Sequence, residues 1–334
     1  MRQKLPKLLV TGGAGFIAST FVRKAVDNGY RVTVVDKLTY AGDLTRLQPV
    51  KNKITFYKTD IIRAPKLNDI IKKERPSVIF HFAAETHVDR SLLDVSPFIA
   101  TNIQGTATLI DLARQHRVPR FIHISTDEVY GEIPQGAFTE SSPLHPNNPY
   151  SSTKAAADFL IQAAVRAHKF PAIIVRPSNN YGPWQYPEKL VPVVLLKALN
   201  GQKIPVYGEG QQMREWLHVS DCVEALFLVL NKGRVGEIYN VGSHITKKNI
   251  ETVRAILNLL GKPHSLIQFV KDRPGHDIRY SLNADKIRDL GWEPRIAFEE
   301  GMQTTAAWAV DHYPWLSHKL KFLQSYWKKI YHPR

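Results

Sequence analysis

The chain has 334 residues, 43% of them apolar, with 45 lysines and arginines against 30 aspartates and glutamates for a formal charge of +15. That length suits one large α/β domain or two lobes, and the apolar share supports a substantial core. No apolar run approaches the ~20 residues that span a bilayer, and the apolar stretch 8–10 is too short for the ~7–15-residue core of a secretory leader.

The charge favours anionic partners. The cations are spread along the chain, however, with only short clusters at 51–53 and 72–73. Zinc-finger spacing and RNA-recognition motifs are absent, so no nucleic-acid partner is expected. Cys222 is the only cysteine, which excludes an internal disulfide and fits a reducing compartment such as the cytoplasm. It follows Asp221 at a predicted helix start and reads as a buried, inert thiol.

In chain order, short apolar runs predict strands over 8–11, 31–36, 54–58, 78–81, 121–125 and 172–176. Helical patterns fall between them at 16–28, 67–74, 98–116 and 150–169. This alternation predicts a Rossmann-type α/β fold, a doubly wound parallel sheet whose ligands bind at the carboxyl ends of the strands. After Arg176, prolines and aromatics crowd 177–192, which reads as a crossing to a smaller α+β substrate-binding lobe. Strands at 216–219 and 237–241 are expected to return to the main sheet, joined by a helix over 220–231 with Ser220 as its cap. The resulting division gives residues 1–176 plus about 216–245 to one domain, and about 177–215 plus 246–334 to the other.

The tail 318–334 carries Leu320, Leu323, Trp327 and Ile330 at near-helical spacing, with Lys319, Lys321, Lys328 and Lys329 between them. Such a helix can lie on a membrane, on its own domain or on a second subunit. Amphipathic stretches ordinarily face a core, so membrane contact is not expected.

The segment from Thr11 to Ala18 reads Thr-Gly-Gly-Ala-Gly-Phe-Ile-Ala, directly after the first strand and opening the first helix. Gly12 and Gly15 let the backbone approach a pyrophosphate, and the helix N-terminus supplies free N–H groups and a positive dipole end. Ala18 occupies the third position of the Gly-x-x-Gly-x-x-Gly fingerprint. Asp36 ends the second strand 21 residues after Gly15, where a carboxylate accepts the ribose hydroxyls of NAD and repels the 2′-phosphate of NADP. Lys37 beside it could attract that phosphate instead. Together these signals predict a bound dinucleotide.

Tyr150 and Lys154 are four apart on a helical stretch and therefore share a face. An ammonium next to a phenol lowers its pKa toward useful base strength. The segment Ser125-Thr126-Asp127-Glu128-Val129-Tyr130-Gly131 follows a strand at the ligand-binding edge. Adjacent carboxylates there can divide acid and base roles when their environments separate their pKa values.

These motifs resemble the extended short-chain dehydrogenase/reductase superfamily and, within it, the dTDP-glucose 4,6-dehydratase family. The likeness is carried by Thr126-Asp127-Glu128, by the blocks 36–42, 83–91, 179–183 and 187–190, and by Asp272-Arg273-Pro274-Gly275-His276-Asp277. It runs from residue 8 to about 280, and the tail beyond about 300 carries none of it. The resemblance implies NAD as cofactor and a redox-neutral cycle. In that cycle Tyr150, with Lys154 and Thr126, deprotonates the C4 hydroxyl as hydride leaves C4. Glu128 then takes the C5 proton, protonated Asp127 releases the C6 hydroxyl as water, and hydride returns to C6. Phe16, Ile17, Lys37, Leu38, Thr39, Asp60, Ile61, Phe82, Ala83, Ala84, Thr101 and Asn180 are implied on the NAD side. Thr86, Asn179, Lys189, Leu190, Val194, Pro205, Tyr207, Arg214, Asn249, Arg273 and His276 are implied around the nucleotide sugar, with the two arginines suited to the diphosphate.

A 4-epimerase would need Tyr150, Lys154 and NAD without the acid pair, and a nucleotide-glucuronate decarboxylase typically carries serine where Asp127 stands. A dehydratase of UDP-glucose or another nucleotide hexose stays open, as does a non-catalytic NAD-binding redox sensor. His81, His87 and His123 lie near the active edge without metal-ligand spacing, so places in the core or behind the site's own side chains, and no metal, are expected. Family resemblance also implies a homodimer built on the helices at 98–116 and 150–169.

Overall fold

The computed structural model describes residues 5–320 and Leu323. Its strands, in chain order, are β1 (Lys7–Thr11), β2 (Arg31–Asp36), β3 (Ile54–Lys58), β4 (Val78–His81), β5 (Arg120–Ile124), β6 (Ala172–Pro177), β7 (Asn179–Tyr181), β8 (Ile204–Tyr207), β9 (Met213–His218), β10 (Ile238–Val241), β11 (Thr246–Lys248) and β12 (Ile267–Val270). The main sheet runs β3-β2-β1-β4-β5-β6-β10, and every neighbouring pair in it is parallel. Its inner strands are near-continuous apolar runs because both faces are covered. Leu8 and Val10 of β1 enter one core and Leu9 the other, following the two-residue period of a strand.

The helices are α1 (Phe16–Asp27), α2 (Ala64–Glu74), α3 (Val88–Leu93), α4 (Ser96–Phe98), α5 (Gly105–Gln115), α6 (Pro149–His168), α7 (Leu190–Leu199), α8 (Val219–Lys232), α9 (Asn249–Leu259), α10 (Asp285–Arg288) and α11 (Phe298–Asp311). On one face of the sheet α1 and α8 bury Phe21, Val22, Val223 and Leu226. Phe21 packs on Phe80 and Phe227 at ring separations of 4.3 and 4.8 Å. On the other face α2, α5 and α6 bury Leu67, Ile70, Leu109, Ala113 and Ile161. Strand order reverses between β1 and β4, so the loops at their carboxyl ends diverge and open a crevice.

A separate core forms where α7, α9 and α11 bring together Val191, Leu195, Val253, Ile256 and Met302. A three-stranded sheet β11-β9-β7 and a parallel pair β12-β8 accompany it.

Three features depart from the sequence reading. β10 joins the main sheet beside β6 as expected, but β9 does not; it pairs with β7 and β11. β9 carries Arg214 and Glu215, both buried, a pattern unsuited to a strand between two apolar layers. The Glu215 carboxylate accepts the N–H groups of His244 and Leu282, both outside the main sheet. Second, α8 starts one residue early, and its cap is His218, whose Nδ1 accepts from Ser220 N–H at 3.3 Å. Third, the helix expected over 98–116 is interrupted by a π-helical turn at Ile99–Gln104.

Residues 313–320 are helical. Leu316 and Leu323 are buried in the second core, and Leu320 packs against it. The described part of the tail thus covers its own lobe. Lys321, Trp327, Lys328, Lys329 and Ile330 lie outside the described residues.

Candidate active site

The crevice holds a cavity of about 430 Å³. Gly12 turns the chain out of β1 with a φ of +69°, and a Cβ there would lie 2.7 Å from the Ala83 backbone. Gly13, which the spacing argument did not use, is fixed by packing: its Cβ would lie 2.6 Å from the Val34 side chain. Gly15 begins α1 without a side-chain cap. The N–H groups of the first turn, including those of Phe16 and Ile17, are therefore left for a ligand, best an anion.

Asp36 accepts the N–H groups of Ala14 at 3.0 Å and Leu38 at 2.7 Å. Burial pushes its pKa up despite these bonds, and each oxygen retains a lone pair for a ribose hydroxyl. Lys37 is committed elsewhere, 2.9 Å from Thr101 Oγ1, 3.2 Å from Glu85 and 3.7 Å from Asp60. Its charge is therefore spent on carboxylates and not offered to a 2′-phosphate. The π-helical turn places Thr101 on this wall and Asn102 behind it, where Asn102 holds both the N–H and the carbonyl of Glu85. Thr39, Asp60, Ile61, Phe82, Ala83, Ala84 and Asn180 line the same side. Leu38 does not; at a φ of +57° it packs against the core.

β5 delivers the acid pair. Thr126, in extended conformation, caps a 3₁₀ turn over Asp127–Tyr130 by accepting Glu128 N–H. Its hydroxyl also donates to Asp127 Oδ1 at 3.2 Å. Asp127 is 1% exposed, and its other oxygen has no protein partner. Burial drives its carboxyl well above the usual range, and the neighbouring Glu128 and Glu215 push it further, so it favours the protonated form. Glu128, half-buried, is also raised by burial, but Lys189, Arg273 and Arg214 oppose the rise. The two adjacent carboxyls therefore sit in different fields.

α6 delivers Tyr150 and Lys154. Asn148 and Ser151 form a capping box and Pro149 opens the first turn, so the helix start is tightly specified. Tyr150 is buried, and its N–H donates to Ser91 Oγ. Burial and then Glu128 raise its phenol, against a hydrogen bond with Thr126. Lys154 is not among the main influences on the phenol. Lys154 Nζ donates instead to the Ile124 carbonyl at 2.7 Å and lies 3.3 Å from His123. Burial lowers Lys154 to about 8.

Opposite, Arg214 donates to the carbonyls of Met213 and Asp277 and stacks on Tyr280 at 4.4 Å. Arg273 donates to Asp89 Oδ1 at 2.7 Å, while Tyr207 donates to Asp89 Oδ2 at 3.0 Å. Thr86, Asn179, Lys189, Leu190, Pro205, Asn249 and His276 complete this wall. Val194 is fully buried in the second core, and Val191 and Val193 line the cavity in its place.

Buried polar atoms without protein partners converge here: Thr59 Oγ1, Ser125 Oγ, Ser178 Oγ, Asn179 Oδ1, Asn249 Oδ1 and Arg273 Nε. A buried polar group without a partner is costly. Their arrangement along the whole crevice fits a long, hydroxyl- and phosphate-rich ligand pair such as a dinucleotide and a nucleotide sugar. His81 bonds Thr11 and Thr106, His87 bonds the Glu188 carbonyl, and His123 lies 3.6 Å from Asp158. Among the described residues no metal-binding group of histidine, cysteine, aspartate or glutamate occurs.

The model of the GDP-mannose 4,6-dehydratase family matches residues 9–305. The dTDP-glucose 4,6-dehydratase of Streptomyces niveus is 46% identical over 318 residues, covering 92% of this chain and 94% of that protein. The chain belongs to the dTDP-glucose 4,6-dehydratase family. DesIV, the Streptomyces venezuelae member solved with NAD and TYD bound, superposes with a TM-score of 0.91 at 43% identity over 94% of this chain and 99% of that one. A Thermotoga maritima UDP-glucose 4-epimerase, solved with UDP-glucose, still reaches a TM-score of 0.87 at 29% identity over 92% of this chain and 99% of that one. The backbone is thus shared with epimerases, and side chains must distinguish the chemistries.

Sequence reasoning passed over several cavity residues. Asp89 positions both Arg273 and Tyr207, and it stood inside the block 83–91 that carried the resemblance. Glu188 joins Tyr40 and Arg90 across the crevice. Tyr280 and the buried Arg46 had no motif to announce them.

Proposed function

We propose that the cavity binds NAD along the glycine turn and a dTDP-hexose along the arginine wall, and that the chain converts dTDP-glucose to dTDP-4-keto-6-deoxyglucose. NAD bound there supplies chemistry no side chain can, a reversible two-electron exchange with the sugar. Tyr150, steadied by Thr126, receives the C4 hydroxyl proton, and a positively charged ring bound in the crevice would offset the burial that raises the phenol. Lys154 keeps a cation beside this site. Glu128 takes the C5 proton, made acidic by the C4 ketone. Asp127, held protonated, gives its proton to the C6 hydroxyl, which leaves as water, and Glu128, after exchange with solvent, returns a proton to C5 while the electron pair held on the bound coenzyme would go back to C6 with its hydrogen. Arg214 and Arg273 present N–H groups to the diphosphate. Residues 1–176 with α8 and β10 make up the coenzyme-binding domain and the remainder the sugar-nucleotide lobe, with Asn180 reaching the coenzyme and Thr86 and Asp89 the sugar nucleotide across the division.

The observation that carries this reading is the pairing of a buried, proton-retaining Asp127 with a cation-facing Glu128 in the cavity that also holds Tyr150. A 4-epimerase has no use for such a pair. We also propose a homodimer through α5 and α6, and residence in a reducing compartment such as the cytoplasm, supported by the single buried Cys222, whose thiol burial raises to about 12. Among the described residues no helix is long and apolar enough to cross a membrane.

The test is a side-by-side assay of dTDP-, UDP-, CDP- and GDP-glucose with product masses. We expect loss of water from dTDP-glucose. UDP-glucose, which lacks the thymine methyl and adds a ribose 2′-hydroxyl, should be poorer by roughly tenfold or more, the least that a pocket reading one methyl group gives. Preference for another nucleotide would reassign the substrate, and no turnover of any would favour the redox sensor.

A further inference from the structure

The tail that lacked any motif reaches the coenzyme side of the molecule. Trp315 Nε1 donates to Asp43 Oδ2 at 2.9 Å, and Lys319 Nζ lies 2.7 Å from the same oxygen. Asp43 Oδ1 accepts Thr45 N–H, capping the 3₁₀ stretch Leu44–Lys53. Burial pushes the Asp43 pKa up, but the bonds from Lys319, Thr45 and Trp315 outweigh it and hold the carboxyl below its usual range. The Asp43 N–H donates to the Ala14 carbonyl at 3.0 Å. Arg46, 1% exposed, donates to that carbonyl at 2.9 Å and to the Ala41 carbonyl at 2.5 Å, and its guanidinium lies 5.4 Å from the Trp315 ring centre.

These contacts converge on one residue of the glycine turn, Ala14, and so on the two peptide units that flank it. Ala14 stands between Gly13 and Gly15. Its N–H is held by Asp36, and its carbonyl is held by Asp43 and Arg46. The loop between β2 and Arg46 and the glycine turn are the two sides of the coenzyme cradle, and both are tied to the tail through Asp43. The family model ends at residue 305 and therefore omits the segment that does this.

We propose that residues 313–320 act as a strap that preorganises the dinucleotide cradle, with Trp315 and Lys319 as positioning residues acting on NAD through Asp43. A strap of this kind lowers the cost of ordering the loop when the coenzyme binds. It acts on coenzyme retention and leaves the opposite, nucleotide-sugar wall untouched. The proposal rests on NAD occupying the glycine turn.

The experiment measures NAD affinity and dTDP affinity by calorimetry on coenzyme-stripped wild type, Trp315→Phe, Lys319→Met and Tyr313→Phe. Tyr313 bonds Asn200 in the second lobe and does not touch Asp43, so it reports general loosening of the tail. Trp315→Phe and Lys319→Met should each weaken NAD roughly tenfold, the size of one lost hydrogen bond to a charged group, with dTDP affinity unchanged. Tyr313→Phe should bind NAD as wild type does. Equal NAD affinity in all four proteins overturns the strap while leaving the coenzyme site intact. A loss as large in Tyr313→Phe also overturns it, since that would be loosening without a path through Asp43. Wild type that binds no NAD would sink the strap and the coenzyme reading together.

Discussion

Asp127 and Glu128 are neighbours in sequence, yet the fold gives them opposite surroundings. Asp127 lines the cavity fully buried, with one oxygen unpartnered and Arg214 the only cation opposing the rise in its pKa, whereas the rise at Glu128 is opposed by Lys189, Arg273 and Arg214. The acid must carry its proton to expel water, so elimination should fail as pH rises through the elevated pKa of Asp127, and the deprotonation of Lys154 near 8 adds to that alkaline limb. The base must be ionised, so the rate should also fall as pH drops through the raised pKa of Glu128. Asp127→Asn should lower product formation by about 10²–10⁴-fold, the range for general acid catalysis. It should slow the initial oxidation far less, so reduced-nicotinamide absorbance should build up on the enzyme. Equal loss of both steps, or a rate that stays flat down into the ordinary carboxylate range, would remove these two residues from their assigned roles. The acid pair itself was legible in the sequence because a strand ended just before it. What was not legible is the direction of Lys154, which depends on the Ile124 carbonyl and on how completely α6 is buried.

At the scale of elements, the six strands and four helices of the first half were readable from apolar runs and their spacing, because parallel strands buried on both faces leave a strong pattern. The π-helical turn at Ile99–Gln104 was not, since a change from four- to five-residue bonding leaves no mark in composition. It nonetheless positions Thr101 on the cavity wall and Asn102 behind it, where it holds Glu85. The placement of β9 was misread because its apolar residues resemble those of a core strand, while its partners are set by Glu215 and by contacts far along the chain. On the outer face, α6 exposes Phe159 and Leu160, and the π-helical turn exposes Ile99, with Leu93 nearby in sequence. Exposed large apolar side chains on neighbouring elements support the proposed dimer face. Sedimentation at micromolar concentration should therefore give a dimer for the wild type and a monomer for Phe159→Glu. A wild type sedimenting as a monomer would contradict the dimer.

At the scale of the whole molecule, the sheet supplies the coenzyme cradle, the second core supplies the arginine wall, and the acid pair stands between them at the crevice. The same backbone serves epimerases, so the fold alone leaves the reaction open, and the proposed account assigns the decision to a few side chains at the end of β5. The cavity wall was legible where motifs ran through it and illegible where isolated residues such as Tyr280 and Arg46 arrive from distant segments. The most direct test of the central claim is to run the reaction with dTDP-glucose in deuterated water and to read product mass and label position. Removal of the C5 proton by Glu128, loss of the C6 hydroxyl with help from Asp127 and return of a solvent-exchanged proton to C5 predict a product lighter by one water and carrying one solvent deuterium at C5. A product of unchanged mass, or one dehydrated with no label at C5, would contradict it.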